Sequence, residues 1–148
     1  MARVATWIAT WFGCGYVPKG PGTAGALGAI VCALVAPGYI WWMIAAMFVP
    51  SIWAANVHAA SRGGKDPQEV VVDEVIGQWI ALAGATHLSS ATPWILAFAL
   101  FRLFDIYKPP PVRQLEKLPG GIGIVMDDVM AGIYGAVVMR VLGWNNLY

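Results

Sequence analysis

The sequence predicts an all-α, compact integral-membrane helical bundle of about five helices, some short or half-spanning, and three observations carry that expectation. Apolar residues make up 59% of the 148 and charged residues only 11%, against roughly 45–50% and 25% in an ordinary globular chain. Lipid solvates apolar side chains, so a bilayer-embedded chain needs little surface charge. The apolar residues form runs separated by short polar loops and lack the period-2 alternation of a barrel. Inside lipid only helices and closed barrels satisfy their backbone groups, so the runs read as helices. Finally, the chain has eight Trp, and Trp41, Trp42, Trp53, Trp79, Trp94 and Trp144 lie in or beside the runs, as membrane-interface aromatics do.

The first run covers about residues 23–36 and ends at the breaker pair Pro37-Gly38. Thr23 is a candidate N-cap for it. The second covers about 39–60 and is followed by the loop SRGGKDPQE. The third covers about 70–85. The fourth covers about 93–107, with Pro93 suited to a first helical turn. A Pro-rich basic loop over 108–121 leads to the fifth, about 122–142. Three runs are shorter than the ~20 residues of a full span. The opening MARVATWIATWFG is weakly apolar and lacks a cleavage site, so no removable signal peptide is expected. One domain is expected over residues 1–148.

Charge segregates by side. With five alternating helices, Arg3, Lys19, Arg62, Lys65, Arg102, Lys108, Arg113 and Lys117 fall on one side and only Arg140 leans to the other. The positive-inside rule makes the first side cytoplasmic. The net charge of +1 gives no footprint for nucleic acid. Cys14 and Cys32 have no metal-type spacing and read as buried free thiols. His58 and His87 are isolated and read as interfacial or structural.

The chemistry lies in the acids. Of eight in the chain, Asp73, Glu74, Asp105, Asp127 and Asp128 lie inside or at the ends of apolar runs. Carboxylates at bilayer depth cost a few kcal/mol each, and five are hard to explain without a shared cation or a watery pocket. Along their helices they sit roughly 3 to 10 Å in from the cytoplasmic side, so all five reach one shallow layer. Small residues follow at helical intervals: Gly77, Ala81 and Gly84 after Asp73, Ala131 and Gly135 after Asp127, Gly132 and Ala136 after Asp128. Such stripes, like Gly25, Ala29 and Ala33 in the first run, let membrane helices approach closely.

Hard oxygen ligands in a watery pocket suit Mg²⁺. Arg102 and Lys108 flank Asp105 at three-residue spacing and either neutralise acids or hold phosphate. The stretch GCGYVPKGPGT before the first run offers backbone N–H groups and Lys19 to an anion. Gly120, Gly121 and Gly123 lead in a similar way toward Asp127 and Asp128. It lacks a Walker lysine pattern, so nucleotide binding is not expected.

Three blocks, GCGYVPKGPGTAGALGA at 13–29, VVVDEVIGQWIAL at 70–82 and FRLFDIYKPPPVRQLEKLPGGIGIVMDDVMAG at 101–132, together resemble the phosphatidylglycerophosphatase A family. The resemblance implies removal of phosphate from phosphatidylglycerophosphate, giving phosphatidylglycerol, with Mg²⁺ required. It implies that Asp73, Glu74, Asp105, Asp127 and Asp128 are the metal and catalytic residues. On the residues' own charge and placement, Lys19, Thr23, Arg102 and Lys108 are the candidates for the substrate phosphate. The substrate would be a phospholipid of the cytoplasmic leaflet, and the enzyme integral to a bacterial inner membrane with its site facing the cytoplasm. Two alternatives stay open on the residues alone: a cation transporter or channel using the clustered acids, and a phosphatase of another, even soluble, phosphate ester.

Overall fold

The computed structural model describes residues 1–64 and 66–148; Lys65, one of the cations assigned to the cytoplasmic side, lies outside the described residues. Among them the chain is all-helical. Seven α-helices replace the expected five: α1 (Ala2–Ala9), α2 (Pro21–Val35), α3 (Ile40–Arg62), α4 (Val72–Ala83), α5 (Ala91–Tyr107), α6 (Val112–Leu115) and α7 (Gly120–Trp144). Five of these correspond to the apolar runs. The two extra ones are short. Helix α1 escapes a hydropathy reading because it buries only one narrow face, through Ala5 and Ala9. Helix α6 is a single turn inside the Pro-rich loop, formed where the side chain of Val112 is fully buried.

Helix α2 begins at Pro21, two residues before the expected cap. Gly20 holds the cap position with φ +68°, and Pro21 follows as the first helical residue. Proline has its φ preset for that position and no N–H to leave unpaired, so Thr23 is a first-turn residue rather than the N-cap. Helix α5 starts at Ala91, which puts Pro93 in its first turn as expected. Helices α3 and α7, at 23 and 25 residues, run about 35–37 Å at 1.5 Å per residue. With its leading turn, α3 (Pro37–Arg62), like α7 (Gly120–Trp144), is long and apolar enough to cross a membrane. The other helices are shorter than a span.

The glycine stripes are where the backbones touch. A Cβ on Gly77 of α4 would stand 2.6 Å from the Asp128 carbonyl oxygen, and one on Gly132 would stand 2.4 Å from the Gly77 carbonyl oxygen. Farther along, Gly84 abuts the backbone of Ala136 in the same way. Helices α4 and α7 therefore run parallel in backbone contact. Phe101 of α5, fully buried, fills the space beside Gly77. Gly121 brings the start of α7 against Ile52 and Asn56 of α3. Trp79 is a core residue rather than an interfacial one: it is 2% exposed, and its Nε1–H donates to the Ala29 carbonyl of α2 at 2.9 Å. Cys14 and Cys32 are free but half-buried.

Candidate active site

Four helix ends meet at one side of the bundle: the N-termini of α2, α4 and α7 and the C-terminus of α5. Between them lies a cavity of about 430 Å³ lined by all five predicted acids, Asp73, Glu74, Asp105, Asp127 and Asp128, and by Arg102 and Lys108. The parallel contact of α4 and α7 sets Asp73 and Glu74, in the first turn of α4, beside Asp128, two turns into α7. Asp105 reaches in from the last turn of α5.

The five acids are not equivalent. Asp105 pairs with Arg102, whose Nη1–H donates to Asp105 Oδ2 at 2.5 Å. Asp127 pairs with Lys108, Nζ to Oδ2 at 2.7 Å, and Lys108 also stands 3.5 Å from Glu116. Among the described residues, Asp73, Glu74 and Asp128 have no such cation within ion-pair distance. One oxygen of each can be chosen so that all three lie within 4.8 Å of one another. Asp73 Oδ1, Glu74 Oε2 and Asp128 Oδ2 are buried with no hydrogen-bond partner, and so is the second oxygen of Asp127. Leaving buried polar atoms unpaired costs about 1–3 kcal/mol each, more for charged ones. A trio of hard, unpartnered oxygens is the donor set for a hard divalent cation, so these residues fit one.

Lys108 sits just past the end of α5. Burial works against its charged form, but the hydrogen bond and charge of Asp127, with Glu116 and Asp128, outweigh it and hold the ammonium above its ordinary range. A raised lysine contributes its full pairing below the unfolded value near ~10.4 and loses it only as pH climbs through the folded one. The lysine therefore stays charged across all physiological pH. Replacing Lys108 by Met strands a buried Asp127 charge and should cost about 2–3 kcal/mol. That is the low end of the range, because 23% of the lysine side chain still meets solvent. Thermal unfolding in detergent reads this, with Lys108→Arg retaining most of the stability and the pH dependence appearing only above about pH 10.

The glycine-rich stretch before α2 contributes through Pro18, Gly20, Pro21 and Gly22, which line the cavity. A Cβ on Gly22 would fall 2.1 Å from Glu74 Oε1 and 3.2 Å from Arg102 Nη1. With glycine at this position the Glu74 carboxylate and the Arg102 guanidinium sit directly against α2. The first-turn N–H groups of a helix have no intrahelical acceptor, so the α2 terminus presents donors and a positive dipole end to the cavity. Lys19 is exposed and Thr23 half-buried, and neither lines the cavity. Gly120 and Gly121 serve packing: the Gly121 N–H donates to Asn56 Oδ1 at 3.2 Å rather than to an open site.

Asp66, with Pro67 and Gln68, also lines the cavity. In the sequence these residues belong to the polar loop SRGGKDPQE between two apolar runs. The signal was an acid seven residues before Asp73 on the same predicted side. His58 and His87 lie outside the cavity: His58 is buried near Thr6 at 3.3 Å, and His87 meets the Tyr148 carbonyl at 3.1 Å.

A helical bundle closing a carboxylate-rich, cation-flanked cavity of this kind is read, with its relatives, as a phosphatase of the phospholipid-metabolism class. The chain belongs to the phosphatidylglycerophosphatase A family, whose model matches residues 7–143. Two relatives carry that family's name. One, from Haemophilus influenzae, is 40% identical over 89% of this chain and 84% of its own. The other, from Escherichia coli, is 32% identical over 92% and 81%. A protein of Bacteroides thetaiotaomicron, 44% identical over 93% of this chain and 92% of its own, has the provisional name phosphatidylinositol-3-phosphatase. No solved structure matches the chain.

Proposed function

We propose that this protein is a single-domain, membrane-embedded phosphatase that hydrolyses phosphatidylglycerophosphate to phosphatidylglycerol with Mg²⁺ bound by Asp73, Glu74 and Asp128. The observation that carries this is the trio Asp73, Glu74 and Asp128, which offer one carboxylate oxygen each within 4.8 Å of one another and each have a buried oxygen without a hydrogen-bond partner, inside a cavity that also holds Arg102 and Lys108. A cation in that trio would neutralise phosphoryl oxygens and acidify a nearby water. The remaining work falls to the chain itself. Arg102 and the α2 terminus, through the first-turn N–H of Gly22, hold the phosphate oxygens. Lys108 fixes one oxygen of Asp127 and leaves the other to take a proton from the attacking water. Asp105 keeps Arg102 aimed into the cavity. Lys19, on the exposed approach, draws the anionic headgroup in.

Exposed aromatics support the membrane placement. Trp7, Phe12, Tyr16 and Tyr107 surround the site end, and Tyr39, Trp41, Trp42 and Trp144 surround the other. Two such girdles bracket a bilayer, with the cavity at headgroup level. By the charge bias of the loops that level is the cytoplasmic leaflet of the bacterial inner membrane.

The test is phosphate release by detergent-purified protein from phosphatidylglycerophosphate, with Mg²⁺ and then with EDTA. Release should fall to background in EDTA and return on adding Mg²⁺ in excess. Release that persists in EDTA would sink the metal assignment. The Bacteroides relative's name favours a second substrate, phosphatidylinositol 3-phosphate. Running both lipids side by side decides between them by kcat/KM.

A further inference from the structure

We infer that Gln78 is a positioning residue of the cation site: its side-chain amide holds the buried oxygen of Glu74 through one buried water, and so fixes Glu74 in the carboxylate trio. The inference rests on the lipid phosphatase reading, through the Mg²⁺ placed in that trio. Gln78 belongs to α4 and is 0% exposed. Among the described residues neither its Nε2 nor its Oε1 has a hydrogen-bond partner. Burying an amide costs free energy that only hydrogen bonds return, and buried side-chain amides are nearly always bonded. A position needed for packing alone is filled more favourably by Leu or Met. Two unpaired amide atoms inside the bundle therefore point to a partner.

The helix supplies that partner. Gln78 follows Glu74 by four residues, so the two share one face of α4. Long helical side chains lean toward the preceding turn, which aims the amide at Glu74. Glu74 Oε1 is the oxygen against Gly22, whereas Oε2 is buried without a partner. The seam with α2 encloses both groups. Gly22 abuts Glu74 at one level, and Trp79 bonds the Ala29 carbonyl at the next. Gln78 lies between these contacts and does not line the cavity, so it stands beneath the site rather than in it. One water joins end groups a helical turn apart and satisfies buried polar atoms on both. Glu74 is alone among the trio in having such a neighbour: four residues after Asp73 stands Gly77, and four after Asp128 stands Gly132. Partners behind a ligand hold its orientation and thereby raise the affinity of the metal site.

The test is thermal unfolding of the detergent-purified protein at increasing Mg²⁺, with no substrate, for the parent, Gln78→Met and Leu82→Met. Methionine matches glutamine in length and lacks the amide. Leu82, 1% exposed and one turn farther along the same face, controls for a core exchange on α4. Gln78→Met should raise the Mg²⁺ concentration of half-maximal stabilisation about tenfold to a hundredfold. Its melting temperature without Mg²⁺ should equal or exceed the parent's, because a buried amide has been removed. Leu82→Met should keep the parent's Mg²⁺ midpoint. Gln78→Asn keeps the amide one methylene back and should fall between the parent and Gln78→Met. An unchanged midpoint in Gln78→Met overturns the inference, and so does a midpoint for Gln78→Asn above that of Gln78→Met. A Gln78→Met protein that melts lower without Mg²⁺, or does not fold, also overturns it, since the amide then supports the fold rather than the metal. If Mg²⁺ does not stabilise the parent, the cation reading of the trio fails and the role of Gln78 falls with it. A parent that Mg²⁺ stabilises but that releases no phosphate from the lipid loses the phosphatase reading alone, and the Gln78 comparison still decides.

Discussion

Asp128→Asn should lower phosphate release by about a hundredfold to a thousandfold while leaving the protein folded. Asp128 belongs to the unpartnered trio, and its Oδ2 is buried without a hydrogen-bond donor. Asparagine keeps the shape but removes the charge and turns one acceptor into a donor. Loss of one preorganised electrostatic partner of a transition state costs about 3–4 kcal/mol, and each 1.36 kcal/mol is about tenfold in rate. Asparagine also ends the mutual repulsion of three close carboxylates, so thermal stability without metal should rise slightly. The stabilisation that Mg²⁺ confers on the parent should shrink, since a weaker site gives a smaller linkage term. Turnover assays and melting curves with and without Mg²⁺ read both effects. An Asp128→Asn protein with parental turnover would remove this residue from the site.

Gly132→Ala should act on the same site from one turn away. The added Cβ meets the Gly77 carbonyl oxygen at 2.4 Å and the Gly77 Cα at 3.0 Å. These are backbone atoms, so no rotamer change relieves the clash and α4 must move off α7. Overpacking of this kind costs about 1–3 kcal/mol, and a backbone-to-backbone clash belongs at the upper end. Asp73 and Glu74 ride on α4 and Asp128 on α7, so the shift also opens the carboxylate trio. A misplacement of about 1 Å costs roughly a hundredfold in rate. The measurement is turnover and unfolding temperature together, beside Gly143→Ala. Gly143 abuts Thr86 and Tyr148 side chains, which lie at the far end of α7 and can give way. A Gly132→Ala enzyme with parental activity would show that the α4–α7 contact does not hold the site.

Much of the fold was legible because its causes are local or periodic. Long apolar runs announce α3 and α7, and breaker pairs mark their ends. Helix α1 was not legible in this way, because Ala5 and Ala9 bury a face too small to register as an apolar run. Helix α6 exists because tertiary packing buries Val112, while the three prolines before it signal only a loop. The start of α2 turned on one proline outranking a threonine cap.

For the site, the sequence by itself determined that Asp73, Glu74, Asp105, Asp127 and Asp128 gather at one end of the bundle. Helical rise converts residue spacing into distance from the helix ends. Small-residue stripes beneath Asp73 and Asp128 also announced that their helices would touch. Only the tertiary structure decided how the five acids divide. Arg102 lies at the right interval for Asp105, so that pair was half visible. The Lys108–Asp127 pair joins residues 19 apart on different elements, and no periodicity relates them. Once those two cations are taken, Asp73, Glu74 and Asp128 are left as the unpartnered trio. Asp66 likewise joined the cavity only because the loop before α4 folds over it. Spacing along a helix is fixed by covalent geometry and can be read from the chain, whereas ion pairing depends on distances between helices, which packing alone sets.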